Sequence, residues 1–193
     1  MATGAALVVY ILAGVDLRVG VGVALGVIGS ALWWLDRSAA PAARSHLRRL
    51  AGTGAVSGLV ATIAYDLSRT GLALFDPSPY DPFEAISMFG TLLAGEQAST
   101  GLVMGVGLAY HLVNGVAFGA AFALLSRKGG VLRGIVWGLG LEAFQVALYP
   151  GWLDIRAYQE FTRISAAGHL VYGATLGALV ARHLKSEEAS DGR

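Results

Sequence analysis

The chain has 193 residues, 55% of them hydrophobic and 14% charged, against roughly 25% charged in soluble domains, and no polar stretch is long enough to build a sizeable soluble domain. A formal net charge of +1, with no basic stripe carrying interleaved aromatics, excludes nucleic acid as a partner. The lack of cysteine excludes disulfides, thiolate metal sites and cysteine nucleophiles.

In chain order, residues 1–15 lack the basic leader of a signal peptide. Residues 3–14 are apolar, but a dozen residues rise only about 18 Å as a helix, so a short first span, a re-entrant helix and an interfacial helix all stay open. A short span forming a hairpin with the next helix through Gly14, Val15 and Asp16 is the favoured reading. Leu17–Leu35, Ala51–Phe75, Gly101–Leu125, Val131–Tyr149 and Ser165–Leu184 each reach across a hydrocarbon core of about 30 Å. Trp33, Trp34 and Tyr149 suit the interfacial aromatic belt. Between the second and third of these, DPSPYDPF stiffens a turn, and EAISMFGTLLAG reads as an amphipathic helix on the outer membrane surface rather than a substrate lid. In the shorter outer loop, Arg156 and Glu160 read as a solvated helix pair, and the tail KSEEASDGR as disordered.

The expected fold is all-α: a polytopic transmembrane bundle of five or six spans. Residues 1–49 form an N-terminal hairpin or re-entrant segment with a cytoplasmic loop. Residues 50–126 and 127–185 are two helical hairpins, and 186–193 is the tail. Ten of the fourteen basic residues lie in the 36–50 loop, the 127–133 connection and the tail, which places those segments and the C-terminus in the cytoplasm. Arginine outnumbers lysine twelve to two, in keeping with a GC-rich bacterial genome and an inner-membrane setting.

The two hairpins look duplicated. Residues 109–124 and 167–182 share eight of sixteen positions, among them His111/His169, Gly115/Gly173 and Gly119/Gly177. The preceding helices match at Gly54/Gly134 and Gly58/Gly138. Each copy has two helices, so the repeats share one orientation and are related by an axis along the membrane normal. Small residues at i, i+4 make a groove for close helix approach, and packing is the expected role of all eight glycines.

Packing does not account for the polar side chains on the same faces. Tyr65 and Asp66 continue the Gly54/Gly58 face, and Glu142 and Gln145 the Gly134/Gly138 face. A lone carboxylate in the membrane costs about 2.5–3.5 kcal/mol on insertion scales, so such groups face a bundle interior and have partners. His111, His169, Glu142 and Asp66, with Asn114, Gln145 and Tyr65, are the expected polar centre. Three chemistries fit it besides simple interhelical bonding: ion or proton handling, a divalent metal held by His111 and His169, or haem iron between the same histidines. The matching functions are a small transporter-like unit or accessory membrane subunit, a haem b or quinone electron carrier, and a metal-dependent enzyme acting on a lipid. Homodimerisation or a membrane-complex partner would use the spare Gly22/Gly26/Ser30 face.

The run HLVYGATLGA, residues 169–178, resembles the last helix of several small uncharacterised bacterial multi-pass membrane proteins. The resemblance covers about the last third of the chain and implies only the class and an inner-membrane setting.

Overall fold

The structure is a computed structural model that describes residues 2–77, 81–126, 128–148 and 158–191. It is all-α, with seven helices and no strand among the described residues. They are α1 (Ala2–Ala13), α2 (Leu17–Ser38), α3 (Pro41–Ala73), α4 (Glu84–Ala94), α5 (Thr100–Ser126), α6 (Val131–Leu148) and α7 (Tyr158–Asp191). Five of them, α2, α3, α5, α6 and α7, are long and apolar enough to cross a membrane, which is compatible with an integral membrane protein in contact with lipid. Tyr149 and the Arg156–Glu160 pair fall outside the described side chains.

The chain divides into two compact units, Met1–Arg49 with Phe83–Asn114, and Leu50–Pro82 with Gly115–Arg193. Helices α3 and α5 each contribute to both.

In the first unit, α1 turns back onto α2 through Gly14, whose φ of 65° lies in the left-handed region that glycine tolerates best. Asp16 then caps α2, its carboxylate accepting from the Arg18 backbone N–H at 2.8 Å. Gly20 lies against Ala6, and Ala6, Leu7 and Leu17 are buried. The link from α2 to α3 is far shorter than a 36–50 loop. Pro41 opens α3 because its φ is already helical and its missing N–H has no intrahelical partner to lose there. The alanines, leucines and arginines that follow are good helix formers. Arg48 grips Asp36 through two hydrogen bonds, 2.8 and 2.7 Å long, and ties the two helices together.

Helix α4, expected as an amphipathic surface helix, packs closely on α5. It runs antiparallel to the first half of α5, with Ile86 and Phe89 buried. A methyl at Gly90 would overlap the Val103 carbonyl, and one at Gly107 the Ile86 carbonyl. The Phe89 and Tyr110 rings lie 5.1 Å apart. Two glycines facing each other's backbones draw the short helix into contact with α5 along its length, which an amphipathic pattern alone does not reveal.

In the second unit, α5 passes to α6 through Gly129 and Gly130, with φ of 62° and 113°. The Gly130 N–H donates to the Gly177 carbonyl at 2.8 Å, fixing the turn against α7. Ala61 and Tyr65 of α3, Phe122 and Ala123 of α5, and Tyr172, Leu176 and Val180 of α7 make one buried cluster, with Trp137 and Leu141 of α6 and Leu184 of α7 packed on it. Helix α7 continues to Asp191, through most of the segment read as a disordered tail. Once a helix is nucleated, each further residue adds one bond for one residue fixed, so the Lys185–Asp191 stretch propagates from the packed part.

Candidate functional site: a buried carboxylate–histidine pair

The site begins with glycine. On α6, Gly134 and Gly138 meet α7 so closely that a methyl on either would overlap a carbonyl, of Gly173 and of His169 respectively. A methyl at Gly173 or Gly177 would strike the Gly134 or Gly130 carbonyl in return. With the backbones this close, the next polar residues on each face must meet. Glu142 and Gln145 continue the glycine face of α6, while Ser165 and His169 continue that of α7.

They form one hydrogen-bonded network. Gln145 Nε2 donates to Ser165 Oγ at 2.8 Å, and Ser165 Oγ donates to Glu142 Oε2 at 2.7 Å. His169 Nδ1 lies 2.8 Å from the same Oε2 and 3.1 Å from the Ser165 carbonyl. Glu142 is 6% exposed, His169 8% and Ser165 0%, so these three are buried, while Gln145 at the edge of the network is half-buried. The second carboxylate oxygen, Glu142 Oε1, is buried with no hydrogen-bond partner among the described residues.

Helix α3 supplies the wall beside the histidine. The Tyr65 ring stands edge-on to the His169 ring, with centroids 4.8 Å apart. The Arg69 guanidinium lies over the Tyr65 ring, 4.8 Å from its centre, and donates to the Pro82 carbonyl at 2.6 Å. Gly168 makes room for both, because a methyl there would press on the Tyr65 ring and the Arg69 stem. Arg69 is itself buried.

Of the residues expected at the polar centre, the structure therefore joins Glu142, His169, Gln145 and Tyr65. Asp66 lies half-buried next to Tyr65 on α3. His111 and Asn114 are half-buried and belong to the first compact unit, where Asn114 shares a hydrogen bond with Tyr110. Among the described residues, no group of three or more His, Asp or Glu side chains is placed to hold a metal ion.

On the α3–α5 side of the second unit, Gly54 faces Gly119 and Gly58 faces Gly115 at backbone contact. Thr62 donates to the Gly58 carbonyl at 2.8 Å and lies against Gly115. Tyr172 donates from α7 to the Gly115 carbonyl at 3.2 Å.

Sequence reasoning missed Ser165, although a signal was there: it stands four residues before His169, on the line that continues to Gly173 and Gly177. It also missed Gly107, which extends the His111/Gly115/Gly119 line in the same way. Comparison with family models, curated proteins and solved structures finds no match to this chain.

Proposed function

We propose that this is a small transporter-like or accessory membrane protein that moves or binds protons or cations at Glu142–His169. The observation that carries the reading is the buried 2.8 Å contact between His169 Nδ1 and Glu142 Oε2, beside a carboxylate oxygen with no partner among the described residues. A pair kept only as interhelical glue would be expected to satisfy both oxygens, since each unmet buried acceptor costs about 1–3 kcal/mol. Reconstituted in liposomes with a pH-sensitive dye, the protein is expected to carry a pH-dependent flux that Glu142→Gln abolishes. A flux that survives Glu142→Gln removes Glu142 from the mechanism.

The setting proposed for this activity is a bacterial inner membrane with the C-terminus in the cytoplasm, on the distribution of basic residues. The core is proposed to be a duplicated hairpin, α3–α5 repeated as α6–α7. The glycine contacts support this and add a difference between the copies. Gly54 meets Gly119, but its counterpart Gly134 meets Gly173, the counterpart of Gly115. The second hairpin has thus slid by one helical turn, which brings Glu142 level with Ser165 and His169. Gly22 and Gly26 on α2 have nothing within contact distance and are available for a second copy of the chain.

A further inference from the structure

We infer that the Glu142–His169 site takes a proton rather than a metal cation, and that it exchanges that proton only at Nε2 of His169 and Oε1 of Glu142, with Ser165 and Gln145 as positioning residues. This rests on the reading of Glu142–His169 as the working site and specifies its cargo.

Proton positions follow from the donors and acceptors present. His169 Nδ1 faces the Ser165 backbone carbonyl at 3.1 Å, and a carbonyl can only accept. Its other neighbours are Glu142 Oε2 at 2.8 Å and the Ser165 hydroxyl oxygen at 3.4 Å. A hydrogen on Nδ1 meets both the carbonyl and the carboxylate, so the Nδ1–H form is the one these neighbours favour. Gln145 Nε2 gives its hydrogen to Ser165 Oγ, so the Ser165 hydroxyl hydrogen is free to point at Glu142 Oε2. Oε2 then receives two donors, one O–H and one N–H, which occupy both of its in-plane lone-pair directions. It has no room for a proton of its own. The variable proton of the carboxyl sits on Oε1, the oxygen with no partner among the described residues. The variable proton of the ring sits on Nε2, for which no hydrogen bond is present among the described residues. The inner atoms of the network are engaged with one another, and Oε1 and Nε2 have no hydrogen-bond partner among the described residues.

The same count identifies the cargo. A tetrahedral zinc needs four ligands, and calcium six to eight oxygens. Among the described residues the network leaves one carboxylate oxygen and one ring nitrogen, on different residues. A proton needs one acceptor at a time. Uptake forms an Nε2–H bond on the neutral ring and turns it into an imidazolium, whose charge the adjacent carboxylate balances. Release breaks that bond again, with no oxidant or co-reactant required. Among the described residues, the ionisable groups of α3 nearest the histidine are Tyr65, edge-on to its ring, and Arg69, over the Tyr65 ring.

The test is nitrogen NMR on full-length protein in lipid nanodiscs with labelled histidine, taking the His169 signals by difference from His169→Gln. The neutral ring is expected as a single Nδ1–H form with bare Nε2. Ser165→Ala frees a lone pair on Oε2, and Gln145→Met lets the Ser165 hydroxyl turn away. Each is expected to admit the Nε2–H form, and Gln145 is only half-buried, so its variant keeps the fold if Ser165→Ala does not. Sodium or zinc is expected to leave the His169 signals in place. An Nε2–H form in the unmodified protein, no change in either variant, or a saturable shift with sodium or zinc each overturns the inference. Liposomes that move no protons while the Nδ1–H form stands would remove the transport reading and leave the proton site itself supported.

Discussion

Glycine decides more here than any charged residue. At Gly138 the hydrogen in place of a side chain lets α6 lie on the His169 carbonyl, and the Glu142–His169 contact is one turn further along. Gly138→Val is therefore expected to force the helices apart and lower stability by about 1–3 kcal/mol, the usual range for overpacking a tight contact. Gly22→Val, at a glycine with nothing within contact distance, is expected to change stability by less than about 0.5 kcal/mol. Thermal unfolding of both variants in detergent checks the contrast, and equal losses would count against the packing account. Proton uptake should follow Gly138 and not Gly22. The purified protein is expected to be colourless. A Soret band that disappears in His169→Ala would replace the proton reading with a haem site.

At the scale of elements, the ends of helices carry what the spans do not. The Arg18 side-chain hydrogen bond, and then the Arg18 backbone N–H, hold the Asp16 carboxyl below its ordinary value. A carboxylate with a lowered folded-state value stabilises the fold above its unfolded value, about 3.9, and loses that contribution as pH falls through the folded value. Asp16 is exposed, so the effect is local. Hydrogen exchange at the first amides of α2 is expected to quicken below about pH 4, relative to base-corrected free-peptide rates, while the middle of α2 does not change. Asp16→Asn should flatten that dependence. The extension of α3 back to Pro41 has a similar origin. Charged residues suggested a loop, yet arginine and alanine are among the better helix formers, and Asp36 holds Arg48 against the end of α2. Charge pattern reports which side of a membrane a segment faces, not whether it is helical.

At the scale of the whole molecule, the natural absence of cysteine makes topology directly measurable. Glu96→Cys is expected to react with an impermeant maleimide in intact cells, and Ser45→Cys and Ser186→Cys only after permeabilisation. The reverse pattern would invert the proposed orientation, and a mixed one would break the span count. The five spans were legible from the chain because each is a local property: an apolar run long enough to cross the bilayer, bounded by charge or proline. The glycine lines were legible for the same reason, since i, i+4 spacing is written within a single helix.

What the chain by itself determined is therefore the class, the positions of the spans and the faces that carry small and polar residues. Only the tertiary structure decided which polar residues meet. The register of α6 on α7, set by the Gly134, Gly138 and Gly173 contacts, puts Glu142 against Ser165 and His169, while Thr62 on α3 bonds to its own helix. Register between helices is a sum of many backbone contacts over distant stretches of chain, and no periodicity within one helix encodes it. The docking of α4 on α5 is of the same kind: Gly90 and Gly107 matter because each meets the other helix's backbone, a relation that exists only once both are folded.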